Sequence, residues 1–431
     1  MASDTGSNKP KLRILIYGIN FAPELTGVGK YTGEMSAWLA AAGHEVRVIT
    51  APPYYPDWSV GTGHRGDRYA LNDFHGVRVR RAPLFVPSRP GGINRLFHLA
   101  SFALTSLPSV ARQAFWQPDV IWVVQPTLFC TPAALLLGRT IGAKVWLHIQ
   151  DFEVNAGFGL GMLKGRWLRK LVFSTETWLL RRFDKVSTIS EAMSALAKGK
   201  GVSKPIVSFP NWVDTKLIQP LEGRSRFRSK LRISDDAIVL LYSGNMGAKQ
   251  GLAQLSNAAH ECRDDPRLVF VFCGNGSYRT SLQEQCKTLN NVRFLGLQPL
   301  EDLNELLGMA DIHLLPQRVD ASDLVMPSKL TGMLASGRPV IATAPPTSSL
   351  ARAVKGFGSA VPPDDLHALV SAIRRLSNDP ELRASQGKSA REHAVRSLSQ
   401  DAILSDFESR LIDLCKPDPM MMNLVNSPEP K

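Results

Sequence analysis

The sequence is short of cysteine, of acidic charge and of long apolar runs, and each shortage excludes something. Five cysteines in 431 residues (Cys130, Cys262, Cys273, Cys286 and Cys415) are odd in number and lack ligand spacing. They read as reduced thiols, not as a disulfide framework. No stretch of about 18 consecutive apolar residues occurs, which argues against a standard spanning helix. The first ten residues are polar, with Asp4, Asn8 and Lys9, and do not read as a secretory leader. A disordered N-terminus over residues 1–10 and a cytoplasmic protein are therefore expected. There is no Asp-x-Asp and no His/Cys cluster of ligand spacing, so no metal is expected.

Composition is otherwise that of a globular protein, with 44% hydrophobic and 21% charged residues. Lys and Arg number 51 against 38 Asp and Glu, a net charge of +13. Residues 1–215 carry 25 basic and 14 acidic side chains, residues 216–431 carry 26 and 24. The first half holds nearly all the excess and should seek an anionic partner.

Short apolar runs alternate with helical stretches. Strands are predicted at Leu12–Tyr17, Glu45–Thr50, Val77–Ala82, Asp119–Val124, Lys144–Ile149, Lys185–Ile189 and Pro205–Phe209, with helices near Tyr31–Ala42 (closed by Gly43) and Pro132–Ile141. The pattern restarts with strands at Ala237–Tyr242, Leu268–Cys273, Val292–Leu295, Asp311–Leu315 and Pro339–Thr343, and helices at Leu252–Arg263 and Pro299–Gly308. Two α/β units of Rossmann type follow, each a mostly parallel sheet covered on both faces. The expected division is an N-terminal domain at 11–215, a C-terminal domain at 216–398, a last helix at 399–416 and a disordered tail at 417–431. Ligands of such sheets bind beyond the carboxyl ends of the strands.

Three glycine-bearing stretches lie at such ends. Phe21–Tyr31 fails the Walker A pattern, because Glu24 stands where its first glycine belongs and Tyr31 follows Lys30. What survives is a loop, Gly27 and Gly29, opening a helix whose free N–H groups suit an anion. Leu241–Gly251 offers glycines for close backbone approach and Lys249 for charge; a loop with an incidental lysine is the plainer alternative. Asp320–Thr343 carries Met-Pro-Ser-Lys-Leu-Thr, with Lys329 in the first turn of a helix, where a cation opposes the helix dipole unless an anion lies beside it. His148 falls inside a strand and reads as a core imidazole, while Ser190 and Glu191 border the site or cap a helix.

With the turn Pro210-Asn-Trp-Val-Asp214 and Gly274-Asn-Gly276, these stretches resemble the retaining glycosyltransferases of the GT-B fold. The likeness is greatest to the bacterial colanic-acid and exopolysaccharide branch and runs from about Lys11 to Cys415. The resemblance implies two Rossmann-like domains facing a central cleft, with the C-terminal helix crossing back to the N-terminal domain. It implies that Gly27 and Gly29 close over the donor diphosphate and that Asp151 lies near the reacting sugar. It also implies that the donor is bound by Gly244, Asn245, Lys249, Gly274, Asn275, Gly276, Asp323, Ser328, Lys329 and Leu330. The chain departs from the family's Gly-Arg-Leu-x-x-x-Lys-Gly clamp, with Asn245 for the arginine and Gln250 for the lysine. The Glu-x7-Glu signature is absent, its positions falling near Leu324 and on Gly332. Lys329 then stands as replacement clamp and Asp323 as a possible sugar contact.

The implied reaction moves a sugar, in its sharpest form fucose from GDP-fucose, onto a polyprenyl-diphosphate-linked oligosaccharide, with the nucleotide-sugar as co-substrate and no cofactor. Front-face attack and a covalent intermediate on Asp151 both remain open. So do a nucleotide-sugar epimerase of the same fold and a non-catalytic nucleotide- or glycan-binding subunit. Basic segments rich in Trp and Phe, at Gly157–Lys185 and Arg89–Trp116, predict peripheral contact with the anionic inner face of a membrane. No nucleic-acid-binding module is present, so nucleic acid is not an expected partner.

Overall fold

The computed structural model describes residues 9–24, 27–88, 91–126, 128–152, 166–247, 250–318 and 327–416. Residues 1–8 and the tail at 417–431 lie outside the described residues. The chain forms two compact units, one of residues up to Phe209 together with Leu404 onward, the other Pro210–Ile403.

The first unit is built on an eight-stranded sheet in the order β3-β4-β2-β1-β5-β6-β7-β8. The strands are β1 Arg13–Tyr17, β2 Glu45–Thr50, β3 Ala70–Phe74, β4 Val77–Arg81, β5 Val120–Gln125, β6 Lys144–Ile149, β7 Lys185–Thr188 and β8 Ile206–Ser208. All neighbours are parallel except β3 and β4, a hairpin on the sheet edge. The helices are α1 Gly27–Ala41, α2 Gly92–Ala111, α3 Thr131–Ile141, α4 Arg166–Leu180 and α5 Glu191–Gly199. Side chains alternate across the strands. Leu15, Tyr17, Ile121, Val123, Val145 and Leu147 face a core shared with Leu99 and Phe102 of α2, Leu137 of α3, Leu180 of α4 and Met193 of α5. Trp122, Trp146 and His148 point to the other face.

Chain order in this sheet runs one way from β1 to β2 and the other way from β1 to β5, so the strand order reverses at β1/β5. In a doubly wound sheet this reversal opens the ligand crevice.

The second unit holds a wholly parallel six-stranded sheet, β11-β10-β9-β12-β13-β14. Its strands are β9 Ile238–Ser243, β10 Leu268–Cys273, β11 Val292–Leu295, β12 Ile312–Pro316, β13 Val340–Thr343 and β14 Gly358–Val361. Helices α6 Arg226–Lys230, α7 Leu252–Glu261, α8 Arg279–Gln285, α9 Leu303–Gly308, α10 Lys329–Ala335, α11 Ser349–Val354, α12 Leu366–Asn378 and α13 Pro380–Ser397 surround it. Tyr242, Phe270, Phe272 and Leu314 share a core with Leu255 of α7 and Ile373 of α12. On the other face Leu315 and Ala342 meet Met333 of α10 and Ala394 of α13. The strand order reverses at β9/β12.

The last helix, α14 Gln400–Cys415, begins in the second unit and from Leu404 on belongs to the first, the crossing-back the resemblance implies. Phe407 packs edge-on to Trp122 and Trp146, at 4.6 and 5.3 Å between ring centroids. Glu408, fully buried, receives Lys9 Nζ at 2.7 Å and His44 Nε2 at 3.1 Å. His44 Nδ1 accepts the backbone N–H of Leu12 at 3.1 Å. That bond leaves the imidazole proton on Nε2, where it is donated to Glu408. Replacing Glu408 with alanine strands the buried His44 donor, while the half-exposed Lys9 ammonium returns to water. It should cost about 2 kcal/mol, measurable by denaturant unfolding.

Candidate active site

Each unit presents its own set of groups at the carboxyl ends of its strands. In the second unit, Gly244 follows β9 and Gly274 follows the neighbouring β10. The Gly244 N–H donates to Cys273 O at 2.9 Å, and the Met246 N–H to Asn275 O at 2.7 Å, so the two loops are laced together. A Cβ on Gly274 would lie 1.9 Å from Gly244 O, and its φ of +143° already disfavours any side chain. Gly276 donates its N–H to Asn275 Oδ1 at 3.0 Å. Asn245 and Asn275 are exposed.

Lys329 opens α10, and its ammonium reaches across to Tyr242 at the end of β9. Nζ donates to the Tyr242 hydroxyl at 3.2 Å and lies 4.6 Å from the ring centroid. The hydroxyl in turn donates to Asn245 O at 2.6 Å. Nζ is also 2.9 Å from where a Cβ on Gly244 would stand. The cation is thus aimed at a bare stretch of backbone, beside the point where the strand order reverses. Burial lowers its pKa to about 8, and among the described residues no carboxylate offsets that burial. Tyr242 is pushed up by burial and stays a neutral phenol.

Ser328 is exposed at the start of α10, whereas Leu330 turns its side chain into the core beside Leu315 and Met333. Leu330 can therefore offer a ligand only its backbone. Lys249 and Asp323, the other proposed clamp and sugar contact, lie outside the described residues.

In the first unit, Gly27 and Gly29 form the first turn of α1, after β1. Directly beneath Gly29 lies the buried carboxylate of Glu24. It accepts the N–H groups of Tyr54 and Tyr55, both at 3.1 Å, and the Asn20 amide at 3.0 Å. A Cβ on Gly29 would come within 2.5 Å of Glu24 Oε2. Burial raises the Glu24 pKa, and the backbone donors, Asn20 and the charge of Arg81 oppose that rise. Arg81, also buried, donates to Ala22 O and Ala51 O at 2.6 and 2.7 Å.

Asp151 lies two residues beyond the end of β6. Burial raises its pKa above the ordinary carboxylate range, while the charge of Arg95 on α2 and the N–H of Phe152 pull the other way. Phe152 is itself sunk in the core, next to a buried ion pair between Glu176 and Lys200, so the backbone at Asp151 is anchored. His148 is a core residue. It bonds to Ser187 at 2.9 Å, stacks on Trp122 with centroids 5.1 Å apart, and is driven to a pKa of about 3 by burial. Ser190 caps α5 by accepting the N–H of Met193.

Sequence reasoning missed three residues. Tyr242 stood inside a quoted loop with no role, Glu24 served only to reject a Walker motif, and Arg279 was passed over. Arg279 donates to Gly274 O and, at 3.1 Å, to Leu295 O, fixing the second loop from behind. A lone acid in the apolar run Phe21–Leu25 was the available signal for Glu24.

Residues 26–212 match the family model "Glycosyl transferase 4-like domain" and residues 223–393 match "Glycosyl transferases group 1". The chain is 42% identical to the colanic acid biosynthesis glycosyl transferase WcaI of Escherichia coli K12, over 92% of this chain and 98% of that protein. Among solved structures it is similar to sucrose-phosphate synthase from Thermosynechococcus elongatus, with a TM-score of 0.72 at 20% identity, covering 94% and 99% of the two chains. It is also similar to Anabaena HepE in complex with UDP-glucose, with a TM-score of 0.67 at 15% identity, covering 93% and 100%.

Proposed function

The chain belongs to the GT-B glycosyltransferases of the colanic-acid type, and from that premise we propose that it is a retaining enzyme that transfers a sugar from a nucleotide-diphosphate-sugar to a polyprenyl-diphosphate-linked oligosaccharide at the inner face of the cytoplasmic membrane. GDP-fucose is the first donor to test. One observation carries the donor reading: the ammonium of Lys329, offset by no carboxylate among the described residues and aimed past Tyr242 at the Gly244 backbone. A diphosphate is the partner that such a group lacks.

In the reaction the bond between the anomeric carbon and the donor phosphate breaks, and the nucleoside diphosphate leaves with the electron pair. Lys329 stabilises the charge that develops on it, and the laced Gly244 and Gly274 loops leave room for the diphosphate to approach their backbone. The acceptor hydroxyl bonds to the same carbon, and its proton passes to the departing phosphate oxygen. Asp151 orients the reacting groups. Glu24 supports the Gly27–Gly29 turn from below, and no metal is required.

The test is to incubate the purified protein with GDP- and UDP-sugars, with and without a prenyl-diphosphate-sugar. The expected result is sugar transfer only when the acceptor is present. Product from the donor alone would overturn the reading in favour of an epimerase.

A further inference from the structure

The buried carboxylate of Glu24 has one oxygen on each of two loops. Oε2 faces the first turn of α1, where a Cβ on Gly29 would stand 2.5 Å away, and it accepts the Asn20 amide at 3.0 Å. Oε1 accepts the backbone N–H groups of Tyr54 and Tyr55, both at 3.1 Å, in the segment that follows β2. Arg81, the last residue of β4, closes the set. It donates to Ala22 O in one loop and Ala51 O in the other, and its charge favours the ionised form of Glu24 against burial. Ala51 also donates its N–H to Ile19 O at 3.2 Å. Buried charge is costly to keep in a fold, and apolar side chains would fill the same space at lower cost. The cluster therefore serves to fix one loop against the other.

What it fixes is an aromatic surface with a polar edge. The buried Tyr54 ring lies 4.6 Å from His98 of α2 and 5.4 Å from Trp58, between centroids. Trp58 packs on His98 at 5.2 Å and sits at a φ of +52°, a left-handed conformation that a bulky residue adopts only when its surroundings hold it there. The Trp58 side chain is only partly covered, Tyr55 is 43% exposed, and Asp57 between them is exposed. Two rings with apolar faces, and a carboxylate that accepts hydrogen bonds from hydroxyl groups, are the chemistry that recognises a sugar. Strand β2 neighbours β1, where the strand order reverses, so the segment stands beside the crevice of the first unit.

We propose that Glu24 is a positioning residue for the acceptor: it locks the segment Tyr54–Trp58 to the first turn of α1, and Tyr55, Asp57 and Trp58 receive an acceptor sugar there. Calling that sugar the acceptor rests on the transfer reaction proposed above. Being buried, the carboxylate acts only through the segment it holds.

The experiment compares the full chain with Glu24→Gln, with the exchange variant Asn20→Asp/Glu24→Gln, and with Tyr55→Ala. Glu24→Gln keeps the shape but removes the charge beside Arg81 and sets an amide against the Asn20 amide. The exchange variant returns the charge to the cluster, and the new amide then donates to the new carboxylate. Three quantities are measured: amide hydrogen exchange of peptides spanning 27–33 and 52–60, the KM and kcat for a water-soluble prenyl-diphosphate-sugar, and the affinity for GDP and UDP.

In Glu24→Gln both peptides should exchange faster together, by roughly 10-fold, and the exchange variant should bring both back to within about threefold of wild type. The acceptor KM should rise about 10-fold in Glu24→Gln and in Tyr55→Ala, with kcat and nucleotide affinity changed less than about threefold, and the exchange variant should recover the KM. Faster exchange in only one of the two peptides would overturn the inference. So would a fall in kcat or nucleotide affinity with the acceptor KM unmoved, which would leave Glu24 a purely structural role. If the peptides loosen and recover together but the wild type transfers sugar to no acceptor, the coupling of the loops stands and the proposed reaction falls. If transfer proceeds with the wild-type acceptor KM in both Glu24→Gln and Tyr55→Ala, the reaction stands and the inference falls.

Discussion

Replacing Lys329 with methionine should lower sugar transfer by roughly 10²–10³-fold and, at the same time, make the protein more stable. Loss of one preorganised charged donor to a leaving group typically costs about 3–4 kcal/mol of transition-state stabilisation, which sets the size of the first effect. The second follows from what the ammonium endures without its ligand. Burial takes its pKa from 10.5 to about 8, and among the described residues nothing compensates. The unfolded chain therefore binds more protons than the folded one between about pH 8 and pH 10.5. Stability contributed at this site rises with pH across that window, and below it the full penalty is present. That penalty is about 3 kcal/mol, and methionine, of similar length, removes it. A melting temperature several degrees higher is expected at pH 7, with the difference from wild type closing as pH is raised toward 10. Thermal unfolding beside single-turnover transfer rates tests both halves. A variant that loses activity with an unchanged or lower melting temperature would show that Lys329 is held by some other acid.

Asp151→Ala should reduce transfer by about 10³-fold or more while the affinity for GDP or UDP changes less than about threefold, because Asp151 sits in a different unit from the Gly244 loop and Lys329. Its carboxyl is raised by burial, with Arg95 and the Phe152 N–H only partly opposing. If the ionised form is the working one, the acid limb of the rate profile lies above the ordinary carboxylate range, and Asp151→Asn removes that limb along with the activity. Arg95→Met takes away a charge that favours ionisation, so it should move the limb to higher pH. Unchanged turnover in Asp151→Ala would remove this residue from the mechanism.

The sheets were legible because their strands carry buried apolar residues at every position or at alternate ones, as in Leu268–Cys273 and Glu45–Thr50. Glu45–Thr50, Lys144–Ile149, Leu268–Cys273 and Val292–Leu295 form as predicted, to the residue. Strand β3, Ala70–Phe74, was invisible because nearly all of it is exposed on a sheet edge and carries no apolar pattern. Strand β14 hid behind a short Gly-Ser start. Helix α1 begins at Gly27, four residues earlier than predicted, because glycines that lower helix propensity are the ones that let the turn settle on Glu24.

Within the amphipathic segment Arg89–Trp116, Leu99, Phe102 and Trp116 belong to the core, whereas Phe97, Leu104, Leu107 and Phe115 stay outside. Periodicity finds both faces of such a helix but cannot tell which one the sheet takes. Glycines and Lys329 were readable as a donor loop from their places after strands. Tyr242, Glu24 and Arg279 were not, because their work is done on groups distant in sequence, such as the Tyr54 N–H and Leu295 O.

At the centre stands Lys329, an ammonium that no carboxylate among the described residues offsets and that a diphosphate would pair. That pairing is tested most directly by calorimetric titration of GDP and of UDP into wild type and Lys329→Met at pH 8, in buffers of different protonation enthalpy. Diphosphate binding should restore the charged form of a group whose pKa is about 8. The wild type should then take up a fraction of a proton with the nucleotide it accepts, and the variant should show no uptake and an affinity weaker by roughly 10–100-fold. Equal affinity in the two proteins, with no proton uptake in either, would contradict it.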